Sequence, residues 1–262
     1  MTVSPLGRRA LGEFIGTALL LAAVIGSGVA AQRLSPGDVG LQLFENAAAT
    51  AAALMAILVA IGPVSGAHLN PVVTLADRIF GGISTSEAGV YVGAQLAGGV
   101  LGAVVANLMF SLPAVELSTT VRSSGGLWLG EVVATFGLLL VIFAVARSGR
   151  ASSAPFAVGA YIGGAYIFTS STSVANPAAT VARGLSDTFA GIAPGSAPAF
   201  VVAQLLGACL AVVVVRVLYP DVASVAADVV LPHPELADPP ARGPEAAARP
   251  NAGLSRRAKG VR

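Results

Sequence analysis

Charge is scarce in this chain. Asp, Glu, Lys and Arg make up 11% of its 262 residues, against about 25% in a soluble globular domain. That deficit, with 55% hydrophobic residues and a mean hydropathy of +0.81, excludes a soluble domain and leaves a chain that crosses a membrane several times. Cysteine is nearly absent. Cys209 stands alone in an apolar run, so no intrachain disulfide can form and nothing fixes a redox compartment. Histidine is limited to His68 and His233, and no His/Cys/Asp/Glu group has the spacing of a metal site. A nucleotide-cradling glycine loop is missing. So is a basic cluster interleaved with aromatics, and a net charge of +2 does not call for nucleic acid. The Ser/Thr run at 169–173 has no partner base and reads as polar lining. The chain is therefore read as no enzyme, with no cofactor and no metal.

What the chain has instead is long apolar runs. Six are long enough to span a bilayer at about 20 residues per helix, at roughly 10–31, 43–62, 88–110, 127–147, 154–170 and 198–218. Arg8 and Arg9 ahead of the first run mimic a signal peptide. The run is longer than an h-region and carries Glu13, so it reads as an uncleaved first span. When the spans are threaded, twelve of the fifteen Lys/Arg residues fall on the side of the N-terminus, which predicts cytoplasmic N- and C-termini. Residues 220–262 are rich in Pro, Ala and Arg without periodicity and read as a disordered cytoplasmic tail.

Two shorter apolar pieces interrupt the series, at 69–80 and 176–186, and each opens on Asn-Pro: Asn70-Pro71-Val72 and Asn176-Pro177-Ala178. Asn is a good N-cap, and proline in the first turn costs no hydrogen bond. Each piece thus predicts a half-helix that begins at its asparagine. The surroundings repeat as well. Glu13 in GEFIGTALLL matches Glu131 in GEVVATFGLLL, and Gln95 in AQLAGGVLGA matches Gln204 in AQLLGACLA. Three spans per half is an odd number, so halves at about 8–111 and 126–218 enter the membrane with opposite polarity. Such an inverted repeat places its ligand path where the broken helices meet. Two helix N-termini meeting there put two positive dipole ends together and repel cations. Each asparagine caps its own helix and offers amide N–H donors to whatever passes. The solute selected by such a centre is neutral, polar and hydrogen-bonding.

The segments SGAHLNPVVT at 65–74 and TSVANPAAT at 172–180 resemble the paired Asn-Pro-Ala loops of the aquaporin (major intrinsic protein) family, and the likeness extends over about residues 8–218. The resemblance implies an all-α membrane protein over residues 1–219, with six transmembrane helices plus two re-entrant half-helices. It implies a homotetramer with one pore per subunit in the plasma (inner) membrane. It also implies that backbone carbonyls of 66–69 and 172–175 line the pore. Carboxylates inside spans are expensive unless paired, and the resemblance assigns Glu13 and Glu131 to accepting hydrogen bonds from the two re-entrant loops. His68 takes a packed, hydrogen-bonded place beside them.

Two positions depart from the family. Val72 stands where the first triplet usually has Ala, a change of bulk without a change of polarity. Ala179 stands where most of the family has the arginine of the outer selectivity filter. Counted from the asparagines, the other three filter positions are Thr50, Gly164 and Ser173. All four are small and uncharged, which predicts a wide, neutral, polar filter. That filter is unlike those of strict water channels and glycerol facilitators, and closer to atypical bacterial aquaporins that pass trivalent arsenic. Arg183, one turn beyond Ala179, lies on nearly the same face. It is either a charge at the outer mouth or an interfacial, snorkelling side chain.

The function expected is a passive channel for small neutral polar solutes: arsenous acid or a similar metalloid acid, polyols and water. A general glycerol/water facilitator is the alternative within that class. A secondary transporter, with Glu13 and Glu131 carrying coupling protons, is the alternative outside it, since inverted repeats and broken helices occur there too. The partners are these solutes, the lipid bilayer and further copies of the chain.

Overall fold

The computed structural model describes residues 5–147 and 150–220. The tail predicted from residue 220 lies outside that range apart from Pro220, and so does His233. The described residues form helices α1 (Leu6–Leu34), α2 (Val39–Ser65), α3 (Pro71–Phe80), α4 (Thr85–Met109), α5 (Gly125–Arg147), α6 (Ala154–Phe168), α7 (Pro177–Ala182) and α8 (Ala197–Leu218). Short 3-10 turns lie at Ala151–Ser153, Arg183–Leu185 and Pro194–Ser196. No strand occurs among these residues. Helices α1, α2, α4, α5 and α8 are long and apolar enough to cross a membrane, and the protein is an all-helical, multi-pass membrane protein. The run predicted at 154–170 differs: α6 has only 15 residues, about 22 Å by helical rise. Pro155 at its start and the extended backbone of Thr169 at its end confine it, and the 3-10 turn at Ala151–Ser153 precedes it.

Local chemistry sets the element ends. Asp38 caps α2, its Oδ1 accepting from Leu41 N at 2.9 Å, and α2 stops at Gly66 with φ +84°, a left-handed C-cap open to glycine. Ser84 and Glu87 form a reciprocal capping box at the start of α4, satisfying two otherwise orphaned N–H groups. The two short helices begin at Asn70 and Asn176, each followed by proline. α7 gives way to a 3-10 turn after 6 residues, so it is shorter than the half-helix predicted over 176–186.

The two halves pack in parallel ways. α1 lies against α4, and α5 against α8. Small residues allow the backbones to touch. A Cβ on Gly98 would collide with the carbonyl oxygen of Phe14, and one on Gly102 with that of Ala18. Across the corresponding pair, a Cβ on Gly207 would stand 2.5 Å from the carbonyl oxygen of Val132. Close backbone approach of this kind is how helices associate when lipid removes the hydrophobic drive between them. The opposite faces carry large apolar side chains outward, Leu19, Leu206 and Val213 among them, each more than half exposed. Apolar exposure on that scale suits lipid or another subunit and would be a liability in water.

Gly102→Ala forces α1 and α4 apart, at about 1–3 kcal/mol for overpacking. Gly93→Ala has no atom within 4 Å of its new Cβ. Thermal denaturation of the purified protein in detergent is expected to show a lower midpoint for Gly102→Ala and no loss for Gly93→Ala.

Candidate functional site

Two buried carboxylates organise the centre of the molecule. Glu13, in α1, is fully buried. Its Oε1 accepts from the Ser65 hydroxyl at 2.7 Å and from His68 N at 3.0 Å. Its Oε2 accepts from Leu69 N at 2.7 Å and from Gln95 Nε2 at 2.8 Å. Glu131, in α5, repeats this for the second loop. Its Oε1 accepts from Val174 N at 2.9 Å, and its Oε2 from Ala175 N at 2.9 Å and Gln204 Nε2 at 2.6 Å. Each glutamine also donates to a threonine of the adjoining short helix, Gln95 to Thr74 and Gln204 to Thr180, both at 2.9 Å. The partnership of glutamine and threonine was not legible in sequence, although the matching QLA/QLL segments pointed at the glutamines.

The loops so held are strained. Ala67 and Leu69 in the first have φ +46° and +50°, and Ser173 and Ala175 in the second have +51° and +48°. Non-glycine residues in this region cost about 1–3 kcal/mol each and persist only where the surroundings impose them. Charge-assisted bonds from buried carboxylates to the backbone N–H groups of 68, 69, 174 and 175 are the imposing partner. At the meeting point the asparagines brace the loops against each other. Asn70 Oδ1 accepts from Val72 N at 3.0 Å, while Asn70 Nδ2 donates to the Ala175 carbonyl at 2.8 Å. Asn176 Oδ1 accepts from Ala178 N at 2.9 Å and Ala179 N at 3.2 Å, while its Nδ2 donates to the Leu69 carbonyl at 2.8 Å. An amide NH₂ has two hydrogens, so each asparagine spends one on the opposite loop and retains one.

These residues border a narrow cavity of ≈ 70 Å³. Its walls are mostly aliphatic, with Asn70, Asn176, Thr50, Ser173, Tyr166 and Arg183 as its main polar side chains. Four positions singled out by spacing therefore meet in one space: the two asparagines, Thr50 and Ser173. Ala179 also lines it. Gly164 does not. It is exposed on the far side of α6, whereas Ile162 and Tyr166 face the cavity. At 100° per residue, positions two before and two after Gly164 share a face opposite to its own. The residue of α6 that reaches the cavity beside Thr50 is thus Tyr166, whose hydroxyl is 3.4 Å from Thr50 Oγ1. Counting twelve residues back from Asn176 misses it; α6 carries two tyrosines, Tyr161 and Tyr166, and nothing in the sequence says which of them faces the cavity. Arg183 is 3% exposed and not an interfacial side chain. Its Nε donates to the carbonyl of Ala190. Val72 and Ala178 are buried away from the cavity.

His68 lines the cavity and is packed: Nδ1 lies 3.1 Å from Thr74 Oγ1, Nε2 3.5 Å from Asp77 Oδ2, and Tyr91 meets the ring edge-on at 5.3 Å. Asp77, unremarked in the sequence, is 2% exposed. Among the described residues no group of three His, Cys, Asp or Glu side chains could hold a metal.

Comparison with known proteins matches this geometry to one family. The family model described as Major intrinsic protein matches residues 1–175. The chain is 46% identical over 211 residues to the aquaglyceroporin AqpS of Rhizobium meliloti, covering 80% of this chain and 90% of that one. It is 34% identical over 165 residues to the aquaporin TIP1-2 of Zea mays, 60% of this chain and 65% of that one. It is 34% identical over 168 residues to aquaporin-9 of Homo sapiens, covering 54% of each chain. Among solved structures, the aquaglyceroporin of Plasmodium falciparum superposes with a TM-score of 0.62 at 22% identity, over 83% of this chain and 99% of that one, which shows a shared fold.

Glu131→Gln keeps one acceptor oxygen and turns an NH₂ toward the backbone, leaving one buried N–H unsatisfied. The cost is about 1–3 kcal/mol, or a fall of roughly 2–10 °C in apparent melting temperature. An unchanged melting temperature would show that the second loop does not depend on this carboxylate.

Proposed function

The chain belongs to the major intrinsic protein family, and on that premise we propose that the cavity is the pathway of a passive channel for small neutral polar solutes. The observation that carries the proposal is the reciprocal bracing of Asn70 and Asn176 across the cavity, with α3 and α7 starting at the same place. A solute hydroxyl passing there meets one free N–H of each asparagine and the carbonyl-rich loops on either side. A cation meets two positive helix ends, each equivalent to about half a charge, and mostly aliphatic walls that do not replace its hydration shell. Neutral hydrogen-bonding solutes are favoured on both counts. Water and glycerol are within reach of the site, and the name aquaglyceroporin borne by the Rhizobium meliloti relative agrees.

Arsenous acid is our first choice among finer substrates, with glycerol as the second. Both are neutral triols at pH 7. The support is Ala179 where an arginine would narrow the passage, with the hydroxyls of Thr50, Tyr166 and Ser173 along the same wall. Tyr166 makes this filter less open than four small residues would have made it. Proton-coupled transport is disfavoured by Glu13 and Glu131: Glu13 accepts four hydrogen bonds and Glu131 three from fixed donors. We place the protein in the plasma (inner) membrane as a homotetramer. The two halves insert with opposite polarity, the termini are cytoplasmic, and the Arg183 end of the cavity lies outside.

Flux into proteoliposomes tests these readings together. Wild type is expected to pass water, glycerol and arsenous acid down their gradients, with no accumulation above equilibrium when a proton gradient is imposed. Ala179→Arg is expected to slow glycerol and arsenous acid at least about tenfold, the effect of roughly 1.4 kcal/mol added to the barrier, with water affected less. Tyr166→Ala is expected to speed the larger solutes, and Gly164→Leu, on the opposite face of α6, to change little. Equal behaviour of Tyr166→Ala and Gly164→Leu would remove Tyr166 from the constriction, and proton-driven accumulation would make the protein a transporter.

A further inference from the structure

The Arg183 end of the cavity holds more positive charge than neutral solutes require. Arg183 is buried, lines the cavity and has one hydrogen-bond partner among the described residues, the Ala190 carbonyl. The terminal N–H groups of its guanidinium are left without a protein partner. Arg122 stands behind it, Nε donating to the Gly191 carbonyl at 3.0 Å and Nη2 to that of Phe189 at 3.4 Å. Three consecutive carbonyls, 189–191, thus hold two guanidinium groups. Neither arginine forms an ion pair among the described residues. The one carboxylate whose field reaches both is Glu131, and its oxygens are committed to Val174, Ala175 and Gln204. Burial, and then the charge of Arg183, bring the Arg122 guanidinium down to about 10, so it remains cationic at neutral pH. The same cavity wall carries the Ser173 hydroxyl, 2% exposed and without a partner, and the Tyr166 hydroxyl with its single long contact to Thr50.

We propose that this end of the cavity is a binding site for small monovalent oxyanions, recognised by the guanidinium of Arg183 and the hydroxyls of Ser173 and Tyr166, with Arg122 as a supporting charge. A bound anion there competes with neutral solutes for the passage. The inference rests on the cavity being the solute pathway. A guanidinium with unused N–H donors is matched to the paired oxygens of an oxyanion, and hydroxyl donors complete the set. Two arginines against one glutamate leave a single excess positive charge. That balance, among aliphatic walls, favours a monoanion over a dianion, whose dehydration costs more.

Glycerol flux into proteoliposomes, with sodium nitrate on both sides of the membrane and sodium gluconate of equal ionic strength as the reference, tests the site. Nitrate is small, planar and singly charged; gluconate is singly charged and bulky. Nitrate is expected to slow glycerol with a half-inhibitory concentration on the order of millimolar. Arg183→Gln is expected to abolish that sensitivity and Arg183→Lys to retain part of it. Arg122→Gln, which removes a charge from behind the cavity wall, is expected to raise the half-inhibitory concentration about tenfold, and it serves as the test if Arg183→Gln does not fold. Glycerol flux in gluconate that nitrate leaves unchanged overturns the anion site while the channel stands. So does nitrate inhibition of equal strength in the arginine variants. Absence of glycerol flux in gluconate overturns the channel reading, and this proposal with it.

Discussion

Two carboxylates with no exposure to solvent, Glu13 and Glu131, are what the rest of this structure depends on. An ionised group in an apolar interior is tolerated only when its oxygens are satisfied. Here the partners are backbone N–H groups of two non-helical loops, 68–69 and 174–175, together with one glutamine each and, for Glu13, the Ser65 hydroxyl. The dependence is mutual. Non-helical backbone at membrane depth must be buried in protein or line a wet cavity, and its left-handed residues would relax if the carboxylates were withdrawn. The glutamates hold the loops in a strained form, and the loops satisfy the glutamates. Removing either side leaves the other uncompensated, and on the proposed channel reading neither acid needs to do proton chemistry.

Given fixed loops, the short helices follow. α3 and α7 start where the loops end, each capped by its own asparagine oxygen, while the amide nitrogens cross to the opposite loop. One side chain therefore caps a helix, ties the two halves together and still presents a donor to the cavity. The close approach of α1 to α4 and α5 to α8, through Gly98, Gly102 and Gly207, brings the glutamates within reach of their glutamines on the neighbouring helix. Helix packing, loop strain and cavity lining form a single connected arrangement.

Much of this was legible in the sequence because it is local or repeated. Asn-Pro marks a helix start wherever it stands, long apolar runs mark spans, and a carboxylate at matching places in two halves demands a partner in each. What escaped is non-local. The assignment of Gly164 rested on a count of residues from Asn176. Two residues along a helix is more than half a circle, and in the folded chain it is Tyr166 that lines the cavity. The sequence leaves Arg183 between a charge at the outer mouth and an interfacial side chain because nothing in its neighbourhood shows that Ala190, seven residues on, folds back to receive it. Asp77 carries no signal in the sequence, because only the folded chain packs His68 beside it. Shortness of α6 was hidden for a similar reason: the apolar run continues to 170, but the backbone leaves the helix at Thr169 to enter the strained loop.

The displaced arginine changes the logic of the constriction. An arginine at the position of Ala179 would narrow the passage and charge it at the same point, so width and charge could not vary separately. In this chain the two are divided. On the proposed pathway narrowness falls to Tyr166 beside Thr50, a contact between neutral hydroxyls. Charge falls to Arg183, about one helical turn or roughly 6 Å further along, anchored by a backbone carbonyl and reinforced by Arg122. On the proposed pathway a neutral triol meets its steric test where no charge competes for its hydroxyls. Ions meet the charge before or after the narrowest point, according to the direction from which they come. Discrimination by size and discrimination by charge become properties of different side chains, each open to change without the other.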